Sequence, residues 1–185
     1  MRGFALLLCM LAATAAAQQP PLPSPPPEST HAESTHAEST PLFAAPTPAQ
    51  ARYLQGLRTA GRGVAQLRDG AARVTNSGGD SLRLLLASRR LGGLCGAARG
   101  FMVTGRSRML VTAYEDSTGL RARRLVALLD TLIRYTPICE ANAAKQPDST
   151  TTRLLAELRA YDAALRDFRA AIGLPIHNGD IKVSR

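Results

Sequence analysis

A chain of 185 residues with no Trp, four Tyr and four Phe is a poor recipe for a β-sandwich, whereas its wealth of Ala, Leu and Arg favours helices. The formal charge of +9 is unevenly spread: residues 51–185 hold 22 basic and 11 acidic side chains, a net of +11, and only Lys145 and Lys182 are lysine. Such a surface attracts polyanions, and arginine's planar fork suits phosphate; the alternative is that the charges are ordinary solvated helix faces.

Met1-Arg2-Gly3, an apolar run over 4–13 and the small-residue string Thr14-Ala15-Ala16-Ala17 read as a secretory signal peptide, residues 1–17, with Ala15-x-Ala17 as its cleavage site. The run falls short of the roughly 20 apolar residues that span a bilayer, so the chain is expected not to be membrane-spanning. Lipidation at Cys9 is disfavoured, because Leu6-Leu7-Leu8 lacks the small residue such a cysteine needs just before it. Export, to a periplasm or outside the cell, leaves Cys95 and Cys139 as the two cysteines in a compartment where disulfides persist.

Residues 18–46 read as a disordered, Pro/Ser/Thr-rich linker. Pro20 to Pro27 favours polyproline II, and Glu-Ser-Thr-His-Ala then repeats from Glu28 and Glu33 and ends at Glu38-Ser39-Thr40. A five-residue period this polar has no apolar face to bury. His31 and His36 give only two ligands in a flexible segment, so no metal site is expected there.

A bundle domain is expected over 47–175. Thr47-Pro48-Ala49-Gln50 has the form of a capping box with proline at the first helical position, and Tyr53, Leu57, Ala60, Val64, Leu67, Ala71 and Val74 then alternate spacings of four and three. Gly56, Gly61, Gly63 and Gly70 beside that seam weaken the helix and permit a close neighbour. Asp80 is placed to cap a second helix whose seam runs Leu84, Ser88, Leu91, Cys95, Ala98, Met102, Gly105 and Met109, expected to continue, kinked near Gly105-Arg106-Ser107-Arg108, to about Tyr114. A third helix, starting after Thr118, turns Leu125, Leu128, Leu129, Leu132 and Ile133 inward and is bent or restarted at Pro137, with Thr136 as the cap in the second case. A fourth, capped by Ser149 or Thr150, carries Leu154, Leu155, Leu158, Tyr161, Leu165, Phe168 and Ile172 and stops at Gly173 and Pro175. Residues 176–185 form a tail. The fold class is therefore all-α, an antiparallel up-down-up-down four-helix bundle.

Cys95 lies 22 residues before Ser117 and Cys139 lies 22 after it, and Ser117 sits in the turn-like run Glu115-Asp116-Ser117-Thr118-Gly119. Equal rise from one turn brings both sulfurs to one height, so a Cys95–Cys139 disulfide is expected.

The chemistry of an enzyme is absent from this pattern. His177 is the sole histidine of the bundle and tail; neither Cys-x-x-Cys-His nor a phosphate-binding glycine loop occurs, and no Glu-x-x-His motif lies on an inward helical face. The expectation is a non-enzymatic, exported bundle with no cofactor that binds anionic cell-envelope lipid or polysaccharide through Arg58, Arg62, Arg121, Arg123 and Arg124. Nucleic acid is not expected as a partner, because the aromatics that would stack bases lie on the apolar seams. The alternative is a cofactor-binding bundle holding haem through Met102 or Met109 with His177.

Overall fold

The computed structural model describes residues 45–174. The expected signal peptide, nearly all of the expected linker with His31 and His36, and the tail with His177 lie outside the described residues. Four long helices make up the bundle: α1 (Pro48–Thr75), α2 (Ser81–Arg106), α3 (Asp116–Asn142) and α4 (Pro147–Ala171), with a single 3-10 turn at Val111–Ala113. Among the described residues there is no strand. Each helix packs on its neighbours in sequence, and α1 closes the ring against α4. That is the up-down-up-down arrangement.

The helix starts follow local chemistry. Thr47 and Gln50 exchange both bonds of a capping box, Thr47 N–H donating to Gln50 Oε1 at 2.9 Å and Gln50 N–H to Thr47 Oγ1 at 3.3 Å. Asp80 Oδ1 accepts from the amides of Leu82 and Arg83 at 2.9 and 3.0 Å, satisfying two donors that the first turn of α2 leaves free. At α4 the expectation is corrected. Neither Ser149 nor Thr150 caps it, because Pro147 already occupies the first turn, where its missing N–H costs nothing.

The seams expected for α1 and α2 are the buried faces. Tyr53, Ala60, Val64, Leu67 and Ala71 of α1 join Leu91, Cys95, Ala98 and Met102 of α2 in one core, with Leu57 and Leu84 at its margin. What joins these two helices is a ladder of small residues. A Cβ on Gly56 would lie 2.6 Å from Gly105 O, one on Gly63 would lie 2.6 Å from Ala98 O, and one on Gly70 would meet Leu91 Cδ1 at 2.9 Å. Gly56, Gly63 and Gly70 recur every seven residues while Gly105, Ala98 and Leu91 recur every seven in the opposite direction, so one antiparallel register repeats three times.

α2 does not reach Tyr114. It stops at Arg106, where Gly105 is wedged against Gly56 O and Ala60 N and the chain leaves the helix through Ser107, Arg108 and an extended Leu110. The run from Ser117 to Gly119, read as a turn, is instead already helical. Asp116 (φ 49°) holds the left-handed conformation where α3 begins, one that Asp adopts more readily than most side chains.

Pro137 neither breaks α3 nor restarts it: the helix runs through it to Asn142. Thr136 is not a cap but a buried interior residue.

Candidate polyanion-binding surface

Cys95 and Cys139 are joined, with Cα atoms 6.1 Å apart, and both are fully buried. Cys95 lies 11 residues before the end of α2 and Cys139 lies 23 after the start of α3. At ~1.5 Å per residue those distances differ by ~18 Å. The nine residues 107–115 therefore continue the descent of α2 by about 2 Å each, as 3-10 and extended backbone do. The reversal falls at Asp116, one residue from the midpoint of the two cysteines. Equal spacing thus survives although one limb is only partly helical. Gly92 and Gly96 flank Cys95 on the side facing α3, where added Cβ atoms would meet Glu140 O at 3.2 Å and the Glu140 carboxylate at 2.9 Å. The close approach that the bridge requires is built from them.

All five arginines singled out by sequence are exposed. They do not form one patch. Arg62 borders a shallow depression between α1 and α2 with Ala97, Gly100, Phe101 and Arg108, and Arg58 lies one turn from it on α1. Arg121 and Arg124 face the groove between α3 and α4, where Asp167 approaches Arg124 to 3.8 Å and shares a depression with Arg121. α1 and α3 stand diagonally across the bundle, so these are two separate basic regions, and Asp167 partly neutralises the second.

Two further arginines are structural. Arg106 Nε donates to Asp130 Oδ1 at 2.8 Å, tying α2 to α3, and Arg68 pairs with Asp162 across α1 and α4.

The region that sequence reading missed is the outer face of α2. This helix carries Arg83, Arg89, Arg90, Arg99 and Arg106 and no acidic residue. Its first two turns also expose Leu82, Leu85 and Leu86, at 65, 39 and 57% of their surface. The signal was present in the spacing. Leu82, Leu86, Arg89 and Gly93 repeat at four and three on the side opposite Ser88, Leu91 and Cys95, but attention to the cysteine seam hides a second, outward one.

Met102 and Met109 are fully buried, and their Cγ atoms fill the space over Gly63 and Gly56. Their side chains serve packing between α1 and α2. Among the described residues no group of three or more His, Cys, Asp or Glu side chains could hold a metal ion, and no helix is long and apolar enough to cross a membrane. Tyrosine supplies the perturbed ionisations. Burial pushes the phenols of Tyr53, Tyr114, Tyr135 and Tyr161 above the ordinary value of 10.0. Tyr53, Tyr114 and Phe168 pack together with centroids 5.1 to 5.3 Å apart, Tyr114 edge-to-face on both of the others, closing the end of the core where α3 begins. These phenols are core groups.

No family model, curated protein or solved structure matches this chain.

Proposed function

We propose that this is an exported, non-enzymatic binding protein for anionic components of the cell envelope. The observation that carries the reading is the charge of α2, whose Arg83, Arg89, Arg90 and Arg99 are exposed and which has no acidic residue. Exposed charge of that kind raises the local concentration of polyanions. Among the described residues Arg89, Arg90 and Arg99 have no carboxylate within ion-pair distance, so their guanidinium groups are available to phosphate or sulfate oxygens. Export is supported by the signal-like residues 1–17 and by the buried Cys95–Cys139 bridge, a bond characteristic of oxidising compartments.

Binding of the purified exported protein to phosphatidylglycerol vesicles and to dextran sulfate, titrated with salt, tests this function. Binding that falls steeply as salt rises is expected, since exposed charges are screened over about 10 Å at 0.1 M ionic strength. Absence of binding to both polyanions at low salt refutes it. N-terminal sequencing of the exported protein tests the compartment, with Gln18 expected as the first residue.

A further inference from the structure

We infer that the outer face of the first turns of α2 is a docking surface for an anionic lipid bilayer, an inference that rests on the polyanion-binding reading and assigns its ligand and its location. Leu82, Leu85 and Leu86 occupy successive turns on one side of the helix and are the densest group of exposed large apolar side chains among the described residues. Leu82 and Leu86 are each more than half exposed, and the buried seam of the same helix runs through Ser88 and Leu91 on the opposite side.

Arg89 and Arg90 follow one turn later, bracketing the axis of the leucine patch. Arg83, within the patch, pairs with Asp80 at 3.3 Å, and that aspartate is half exposed at the helix start. Of the neighbouring elements, α3 brings Glu140 against Gly92 and Gly96, beyond the arginines, while Arg62 of α1 lies beside Ala97 and Phe101, well along α2 from the leucines. The patch is thus apolar at its centre and cationic at its border.

Charge decides the occupant. A second copy of this face would bring its own Arg89 and Arg90 to a surface where the one nearby carboxylate on this helix, the cap Asp80, is already paired with Arg83, leaving an excess of positive charge across the contact. A soluble polysaccharide satisfies the arginines and leaves the leucines in water. An anionic bilayer satisfies both, with phosphates at the level of the guanidinium groups and the leucines among the acyl-chain ends beneath them. Long arginine side chains on the border suit that geometry, since their stems lie along apolar surface while the heads stay at the phosphates.

The test uses the full exported chain with three probes: vesicles of phosphatidylcholine with phosphatidylglycerol, vesicles of phosphatidylcholine alone, and dextran sulfate. The variant Leu82→Gln/Leu86→Gln is expected to lose affinity for the anionic vesicles on the order of tenfold or more, with dextran sulfate binding unchanged. Arg89→Gln/Arg90→Gln is expected to weaken both. Both pairs are solvent-exposed, and thermal melts equal to that of the parent protein establish that each variant is folded. Parent protein that binds dextran sulfate but not anionic vesicles, or leucine variants that bind vesicles as the parent does, overturn the inference while leaving the broader reading standing. Binding to neither probe removes both. Sedimentation showing a dimer that the leucine variant abolishes reassigns the face to self-association and overturns the inference.

Discussion

Thr136 Oγ1 donates a hydrogen bond of 2.8 Å to the carbonyl of Ile133, the carbonyl that Pro137, having no N–H, leaves without its helical partner. Thr136 is buried, and its hydroxyl reaches that carbonyl from the bundle side. The hydroxyl therefore allows α3 to run through its proline and carry Cys139 to the height of Cys95. Thr136→Val removes the donor and keeps the shape. It is expected to cost about 1–2 kcal/mol in the parent chain and close to nothing in a Pro137→Ala background, where the amide of residue 137 bonds Ile133 directly. Urea unfolding of the four proteins of this cycle gives the coupling energy, and an equal cost of Thr136→Val in both backgrounds contradicts the compensation.

This pairing also shows where sequence reasoning stops. The proline signalled a break, and Thr136 beside it looked like the cap of a new helix, because local rules weigh a residue against its neighbours in sequence. A threonine that repairs the ladder and one that starts a helix have the same sequence context; burial separates them. The same holds for the Gly105-Arg106-Ser107-Arg108 run. A kink and a stop look alike until Gly105 is seen pressed on Gly56 and Ala60. By contrast, the helix starts at Thr47 and Asp80 and the disulfide were legible, since each depends on spacing along the chain alone. The polyanion surface was legible as charge and not as place. Arginines are plainly visible in a sequence, but their grouping depends on which helices stand side by side.

The seven-residue glycine ladder separates two kinds of glycine on one helix. Gly63→Ala places a methyl group 2.6 Å from Ala98 O, a backbone atom that cannot give way without moving α2. A loss of about 1–3 kcal/mol is expected. Gly61→Ala, two residues away, meets nothing within 4 Å and is expected to gain about 0.5–1 kcal/mol from helix propensity. Opposite signs for the two substitutions in thermal or urea unfolding verify the ladder. A gain at both positions means that α1 and α2 are not in close contact there.

Reduction of the disulfide tests the strength of the tie between α2 and α3. Cys95 and Cys139 close a loop with a sequence separation of 44. In the chain-entropy account, opening such a loop costs about 4 kcal/mol. The unfolding midpoint in urea is expected to fall on reduction, and a Cys95→Ser/Cys139→Ser protein is expected to match the reduced parent and to ignore added reductant. A reductant-sensitive midpoint in the double variant, or an unmoved midpoint in the parent, rejects the bridge as a stabilising element.

Buried phenols set an alkaline limit on the fold. Burial is the main cause that raises the ionisation of Tyr161, with Arg68 pulling it down and Asp162 pushing it up, and burial likewise dominates at Tyr53. The folded state therefore holds these protons more tightly than the unfolded chain. Their contribution is complete below the unfolded value of about 10 and is lost as pH rises above it toward the raised folded values. Unfolding free energy is expected to be level, as far as tyrosine is concerned, between pH 7 and about 9 and to drop beyond about 10. The two residues differ in what their hydroxyls do at neutral pH. Tyr53 Oη donates to Ala122 O at 3.2 Å, whereas Tyr161 Oη is buried with no partner among the described residues. Tyr53→Phe is accordingly expected to cost about 1 kcal/mol at pH 7, and Tyr161→Phe to be neutral or stabilising by a similar amount, because it removes a desolvated group that gains no bond. Both substitutions are expected to flatten the alkaline drop, since each deletes one proton that only the unfolded chain readily releases. An alkaline drop of undiminished slope in both variants, followed by urea unfolding from pH 8 to 11, assigns the alkaline sensitivity to other groups.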